Sequence, residues 1–185
     1  MNRDKDKNLL LSEKNLSAAP AVIAVCGAKN TGKTTLLEAI IPLLCQKGLR
    51  LAVIKHDSHD FVPDVPGTDS YRFRQAGANG VAVFSRTKCM TIQETENAAF
   101  GDVIAAFNGM DLILLEGGKA THFPKIEVAR KAIGEAIVAD AATLLAVYAD
   151  FNPWLPGVLF IESGQYDRVA EIILYQLEAH KSSRM

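Results

Sequence analysis

The sequence has few cysteines and no excess of charge of one sign, and both absences narrow what the protein can be. Its three cysteines, Cys26, Cys45 and Cys89, are far apart and form no C-x-x-C pair. An odd, scattered set argues against a disulfide framework and against a zinc knot, and it is typical of a reducing cytosol. The formal net charge of -1 predicts no broad cationic surface, so neither nucleic acid nor an acidic membrane is an expected partner.

Long hydrophobic segments are also missing. No apolar run reaches the ~18 residues that a transmembrane helix needs. The N-terminus begins with alternating charges, and the apolar run at residues 9–11 is too short for the core of a signal peptide. We therefore predict a flexible N-terminal extension over residues 1–20, no membrane partner and a cytoplasmic location.

From residue 21 onwards, apolar segments of strand length alternate with helical patterns, and glycine or asparagine ends three of the helices. This alternation predicts an α/β protein with a mostly parallel sheet and helices on both faces. We assign residues 21–185 to a single domain. The predicted strands are 21–26, 49–55, 80–84, 89–93, 111–116, 125–128, 144–148 and 158–161, and the predicted helices are 33–47, 69–76, 95–107 and 165–180.

A glycine-bearing loop joins the first strand to the first helix. Residues 27–34, Gly-Ala-Lys-Asn-Thr-Gly-Lys-Thr, match G-x-x-x-x-G-K-[ST] without a mismatch. Glycines let the backbone wrap closely around a phosphate, and the helix that follows presents its unpaired N–H groups to the same anion. The pattern predicts a P-loop NTPase whose nucleotide contacts Gly27, Lys29, Asn30, Thr31, Gly32, Lys33, Thr34 and Thr35.

Three side chains of this loop have separate predicted roles. Lys33 is expected to reach the β and γ phosphates as a point charge and to act in catalysis. Thr34 is expected to place its hydroxyl on Mg²⁺, and Thr35 to hydrogen-bond the α phosphate. The alternative is an ordinary glycine turn, which the flanking strand and helix disfavour.

The strand at residues 111–116 offers two acids to the magnesium ion. A strand rises ~3.3 Å per residue, so Asp111 and Glu116 lie roughly 16 Å apart and only one of them can reach the metal. Nucleotides bind at the carboxyl ends of parallel strands. This favours Glu116 as the metal ligand, with Asp111 at strand entry or as a helix cap. The alternative for Glu116 is a surface acid at a strand end.

The polar loop after the second strand has several open interpretations. Asp57, or Asp69 in the next helix, would orient the attacking water or hold a magnesium-bound water. His56 and His59 would instead form a transition-metal site, or lie exposed to solvent. Asp69 favours the helix dipole in either case.

Basic side chains are concentrated between residues 119 and 130. Lys119, His122, Lys125 and Arg130 surround a Phe-Pro pair at residues 123–124. They would form a second anion site beside the first, or an ordinary exposed loop.

An ordered set of motifs resembles one protein family. Besides the glycine loop, the chain carries Lys55-His56-Asp57-x-His59-x-Phe61, Asp64-x-Pro66-Gly67-x-Asp69-Ser70-x-Arg72, Ala76-Gly77-Ala78, Glu116-Gly117-x-Lys119 and Pro124-Lys125-Ile126-Glu127-x-x-Arg130. In this order, over residues 22–150, the motifs resemble the MobB family, the molybdopterin-guanine dinucleotide biosynthesis protein B.

The resemblance implies a GTP-binding protein with weak GTPase activity. Such a protein assists the attachment of GMP to molybdopterin, and the transfer itself belongs to a partner guanylyltransferase, MobA. The resemblance also implies a homodimer formed through extended strands near residues 125–130. The sequence has no N-K-x-D segment to read guanine, and Asp150, just past the strand at residues 144–148, stands where such a reader would.

Other functional classes remain open. A small-molecule kinase would use the same loop, although the usual arginine-rich lid is missing, since residues 148–164 contain no arginine. A metallochaperone-type GTPase depends on His56 and His59 alone. A scaffold that holds nucleotide without turnover is the third alternative.

Overall fold

The structure, a computed structural model, describes residues 19–57 and 60–183. Most of the predicted N-terminal extension, residues 1–18, lies outside the described residues, and so does His59. The chain divides into one unit of residues 19–56 and 103–183 and another of residues 57–102. Among the described residues, no helix combines the length and the apolar character needed to span a bilayer.

The strands follow the sequence prediction closely. Every predicted strand is present, with ends within two residues of those expected, because apolar runs bounded by glycine, proline and polar residues mark strands well. The strands are β1 (Ala21–Cys26), β2 (Leu51–Lys55), β3 (Gly80–Phe84), β4 (Cys89–Gln93), β5 (Leu112–Glu116), β6 (Lys125–Ala129), β7 (Leu144–Ala149) and β8 (Leu159–Glu162), and the helices are α1 (Lys33–Gln46), α2 (Asp69–Gln75), α3 (Phe100–Ala105) and α4 (Tyr166–Ser182).

The first unit is built on a six-stranded parallel sheet in the order β2-β5-β1-β6-β7-β8. The central strands are apolar and almost completely buried, as a parallel sheet covered on both faces requires. The predicted α/β fold with a mostly parallel sheet is therefore confirmed. Because the strands are parallel, their carboxyl ends meet at one edge of the sheet, where the glycine loop follows β1.

One face of this sheet is covered by α1 and α4. Each helix contributes a stripe of four buried side chains to a core shared with β1, β5, β6 and β7. Burying each large aliphatic side chain contributes about 1.5–3 kcal/mol to folding. The stripes are Leu36, Leu37, Ile40 and Leu44 of α1, and Val169, Ala170, Ile173 and Leu177 of α4.

Connecting segments cover part of the opposite face. Ala129 and Val147 lie in a second apolar cluster there, packed against Ile137, Leu155 and Phe160. Beside β6 and β7, this face of the sheet is thus sealed by the segments before β7 and after it. Helix α1 follows β1 directly in the chain, so these two elements set the position of the glycine loop between them.

The strand expected to form the dimer contact near residues 125–130 has no free edge in the sheet. β6 pairs with β1 on one side and with β7 on the other, so its backbone N–H and C=O groups have no free edge. A strand can extend into a second sheet only from an exposed edge. In the first unit the edge strands are β2 and β8.

The second unit contains α2 and an antiparallel hairpin of β3 and β4. Thr68 caps α2, since its hydroxyl accepts the N–H of Tyr71, as the sequence predicts. Within the described residues, β3 and β4 pair only with each other, so the outer edge of each strand is free. Val83, Phe84 and Met90 of this hairpin are 49%, 80% and 42% exposed.

Helix α3 is shorter than predicted. The amphipathic pattern predicts a helix over residues 95–107, but α3 covers only Phe100–Ala105. None of its residues is buried, so packing does not offset the cost of ordering further turns. Thr95 and Asn97, whose side chains compete for backbone hydrogen bonds, favour the irregular segment before it.

Candidate functional site

The loop between β1 and α1 has a backbone that only glycine accommodates at its start. Gly27 has a φ of 134°, and a Cβ placed on it would lie 2.2 Å from the carbonyl oxygen of Val128 in β6. The loop is therefore pressed against the backbone of the neighbouring strand. Thr31 is buried, and its hydroxyl donates to the carbonyl oxygen of Ala28 at 3.1 Å, which closes the turn from within.

The N-terminus of α1 is open to an anion. Gly32 occupies the N-cap position with a φ of 94°, no side chain caps the helix, and its first turn contains no acid. The first N–H groups of a helix have no partner within the helix, and the helix dipole favours negative charge beside them. A phosphate group fits both the geometry and the charge of this helix end.

The ammonium group of Lys33 lies across the loop. Its Nζ donates to the carbonyl oxygens of Gly27 at 3.3 Å and Ala28 at 2.7 Å. A flexible four-carbon stem allows this group to exchange the two carbonyl oxygens for oxygens of a bound anion. Among the other predicted contacts, Lys29, Asn30 and Thr35 are exposed along the loop and the first turn of α1.

The structure brings together the two residues predicted to hold the metal. The Thr34 hydroxyl donates to the Glu116 carboxylate, with Oγ1 3.1 Å from Oε1 and 3.2 Å from Oε2. Glu116 ends β5, the direct neighbour of β1. A hydroxyl and a carboxylate are the oxygen ligands that Mg²⁺ prefers, so this pair fits that ion.

Asp111 takes the structural role predicted for it. It lies just before β5, at the end of the strand opposite Glu116, and its Oδ2 accepts the N–H of Arg50 at 2.8 Å. The choice between the two acids made from strand geometry therefore agrees with their positions.

The backbone after Glu116 is closely packed. The N–H of Gly117 donates to the carbonyl oxygen of Val25 at 2.9 Å, and the N–H of His56 donates to that of Glu116 at 3.0 Å. A Cβ on Gly117 would lie 3.2 Å from the carbonyl oxygen of His56. The carboxyl ends of β1, β2 and β5 thus converge around Glu116 and fix its position.

Lys125 is not part of a second anion site, and that interpretation is wrong for this residue. The side chain is fully buried, and its Nζ donates to the carbonyl oxygens of Thr121 and of Phe123, the latter at 2.7 Å. Burial lowers the pKa of this ammonium below its usual value. Its contacts anchor the segment between β5 and β6, and they leave the charge unavailable to a ligand. Lys119 and His122 are exposed.

A buried carboxylate has a similar structural role. Glu127 of β6 accepts the N–H groups of Val138 at 2.8 Å and Ala139 at 2.9 Å.

Burial, and secondarily the charge of Glu127, raise the pKa of the Cys26 thiol to about 12. Cys26 is therefore no nucleophile at neutral pH. The three cysteines are unpaired, as the sequence predicts.

Arg130 is the basic residue that the structure places beside the glycine loop. A Cβ on Gly32 would lie 3.6 Å from Nη2 of Arg130. From the sequence, Arg130 is assigned to a second anion site beside the first. The signal that could have located it is its position directly after β6, at the same edge of the sheet as the loop after β1.

The remaining predicted site residues have structural partners. Asp150 accepts the N–H of Lys131 at 2.8 Å through Oδ1, and its role in reading guanine stays a prediction. Asp69 belongs to the second unit and lies 3.5 Å from Nη1 of Arg72; its catalytic role stays a prediction too. The described residues contain no group of three or more His, Cys, Asp or Glu able to hold a metal, and the hypothesis built on His59 concerns a residue outside them.

Replacing Gly27 with alanine tests the contact between the loop and β6. The added methyl would overlap the Val128 carbonyl at 2.2 Å, so we expect the free energy of unfolding in urea to fall by about 3 kcal/mol or more. Gly48→Ala is the matched control, since its φ of 81° is also positive but nothing lies within 4 Å, and its cost should be about 1 kcal/mol. An equal loss of unfolding free energy in the two variants would contradict the close contact between Gly27 and Val128.

Comparisons with known proteins agree with this fold. The family model of MobB, molybdopterin guanine dinucleotide synthesis protein B, matches residues 22–150. The chain is 38% identical over 161 residues to the molybdopterin-guanine dinucleotide biosynthesis adapter protein of Escherichia coli K12, which covers 83% of this chain and 91% of that protein.

Two further relatives support the same assignment. The adapter protein of the same name from Haemophilus influenzae is 32% identical over 133 residues, which cover 70% of this chain and 75% of that protein. The crystal structure of a MobB homologue from Bacillus stearothermophilus shares the fold, with a TM-score of 0.65 at 22% identity over 85% of this chain and 98% of that one. The ordered motifs, the parallel sheet and these matches place the chain in the MobB family.

Proposed function

We propose that the protein binds GTP with Mg²⁺ on the loop of residues 27–35 and assists the conversion of molybdopterin to molybdopterin guanine dinucleotide. The observation that supports this most directly is the contact between the Thr34 hydroxyl and the Glu116 carboxylate beside the uncapped start of α1. Oxygen ligands for a hard cation and N–H donors for a phosphate lie side by side there. The names of the relatives support the pathway.

Each part of the loop has a defined role in this proposal. The N–H groups at the start of α1 and the Lys33 ammonium bind the phosphates, while Thr34 and Glu116 hold the cation. Bound Mg²⁺ neutralises charge on the phosphate oxygens. Charge stabilisation of this kind accords with a slow GTPase, and we propose that the protein has this accessory role in the cytoplasm.

The preference for guanine over adenine is tested by calorimetry with GTP and ATP in the presence of Mg²⁺. We expect GTP to bind at least ~10-fold more tightly, a difference of about 1.4 kcal/mol. Tighter binding of ATP would instead favour the small-molecule kinase.

The accessory role is tested in a reconstituted reaction that contains molybdopterin, GTP and a MobA-type guanylyltransferase. Adding this protein should raise the rate at which the dinucleotide forms, and the Lys33→Ala variant should not. An unchanged rate with the unaltered protein would contradict the role. An equal increase from the variant would show that nucleotide on this loop is not required.

We further propose that the protein is a homodimer that pairs through the β3–β4 hairpin. A two-stranded hairpin is marginally stable alone, and Val83 and Met90 are exposed on paired positions of one face. Light scattering should give twice the chain mass of 20.0 kDa, and the Val83→Glu, Met90→Glu double variant should give a monomer. Tyr175→Glu, an exposed apolar position on α4, is the control. A dimeric double variant would contradict this interface.

A further inference from the structure

Arg130 is held in a fixed position by three contacts. Its Nη1 donates to the carbonyl oxygen of Ala129 at 3.2 Å and to the Ser163 hydroxyl. Its Cζ lies 5.4 Å from the centre of the Tyr148 ring, and the Tyr148 hydroxyl in turn accepts the N–H of Gly164 at 2.8 Å. The guanidinium is therefore oriented by β7 and by the segment after β8 before any ligand arrives.

The charge of this guanidinium has no counter-ion in the described part of the chain. None of the ion pairs between described residues includes Arg130, although the residue is half-buried. Its hydrogen-bond acceptors are a carbonyl oxygen and a hydroxyl, both neutral, and Nη2 makes no hydrogen bond to a described residue. A partly desolvated cation is stabilised by an anion, and Nη2 lies next to Gly32 of the phosphate loop.

Arg130 and Glu116 approach the loop from opposite sides. β1 lies between β5, which carries Glu116, and β6, which precedes Arg130. Thr34 and Glu116 would hold Mg²⁺, which would neutralise charge on the β and γ phosphates, so Glu116 marks the side of those phosphates. A cation on the other side faces the part of the phosphate chain nearest the nucleoside.

We propose that Arg130 binds the α phosphate of the nucleotide through Nη2. This inference rests on the proposed function of the loop and adds a side chain to it. Because GTP and GDP share the α phosphate, Arg130 should contribute equally to the binding of both. It should contribute little to the hydrolysis rate at saturating GTP, in contrast to an arginine that contacts the γ phosphate.

The test is a calorimetric titration of Arg130→Ala with GTP and with GDP, together with the hydrolysis rate at saturating GTP. We expect the affinity for each nucleotide to fall ~10- to 50-fold and by the same factor, with the maximal rate changed less than ~3-fold. Arg168→Ala is the matched control, since Arg168 is exposed and paired with Glu171 on α4, and its affinities should not change.

Two conservative variants keep the test valid if the alanine variant folds poorly. Arg130→Lys retains the positive charge but not the fork that reaches both Ser163 and the ligand, so it should recover only part of the affinity. Ser163→Ala removes one anchor and keeps the guanidinium, so it should weaken GTP and GDP binding equally and less than the loss of the arginine. Melting curves without nucleotide identify any general loss of folding.

The outcomes separate this inference from the proposed function. If Lys33→Ala loses nucleotide while all Arg130 and Ser163 variants bind both nucleotides normally, the inference fails and the loop assignment stands. A loss of GTP affinity alone, or of the hydrolysis rate alone, would also overturn the α-phosphate assignment. If the unaltered protein binds neither nucleotide, the proposed function and this inference fail together.

Discussion

Replacing Lys33 with alanine is expected to weaken GTP binding roughly 100-fold, a loss of about 3 kcal/mol. The Lys33 ammonium lies against the carbonyl oxygens of Gly27 and Ala28, at the centre of the loop that we propose binds the phosphates. A charged donor to a phosphate oxygen contributes more than a neutral one. Lys33 is the cation of this loop whose ammonium contacts the loop's carbonyl oxygens. Isothermal titration calorimetry with GTP and Mg²⁺ measures the loss.

Lys47→Ala is the matched control for this variant. Lys47 is exposed at the opposite end of the same helix, about 20 Å away at 1.5 Å per residue. The control should bind GTP as the unaltered protein does. Melting curves without nucleotide show whether the loop variant remains folded. Unchanged GTP affinity in folded Lys33→Ala protein would refute phosphate binding by this loop.

The second large effect is expected from Glu116→Gln. The substitution keeps the shape of the side chain, and the amide oxygen can still accept from the Thr34 hydroxyl. It removes the negative charge that a divalent cation requires. We therefore expect the apparent affinity for Mg²⁺ to fall at least ~10-fold and GTP hydrolysis to slow by about two orders of magnitude, with the melting temperature nearly unchanged.

The control for this change is another acid at the same edge of the sheet. Glu162 ends β8, the outer strand, and is exposed, so Glu162→Gln should alter neither property. The measurements are Mg²⁺ titrations of hydrolysis and of GTP binding. If Glu116→Gln and Glu162→Gln behave alike, Glu116 has no role in holding the cation.

Much of this site could be predicted because its parts are local or follow from strand direction. The glycine loop is a contiguous motif, and the meeting of Thr34 with Glu116 follows from two parallel strands that end at one edge. The same geometry assigns Asp111 to the opposite end. These inferences need only the alternation of strands and helices and the order of residues within one strand.

The parts that sequence reasoning missed depend on contacts between distant segments. In the sequence, Lys125 has the features of a surface cation. In the structure it is buried, and its ammonium donates to the carbonyl oxygens of Thr121 and Phe123. The position of Arg130 depends on the strand order, which places β6 beside β1. The same order removes the free edge expected of β6. Strands β1 and β6 are neighbours in the sheet but are not consecutive in the chain, so their pairing is not evident from apolar periodicity.

The most direct test of the central claim is a crystal structure of the protein grown with excess GTP and Mg²⁺. We predict the β and γ phosphates on the loop between Gly27 and Thr34, in contact with Lys33, and a metal ion held between Thr34 and Glu116. A loop without phosphate, with GTP bound at another place on the protein, would contradict it.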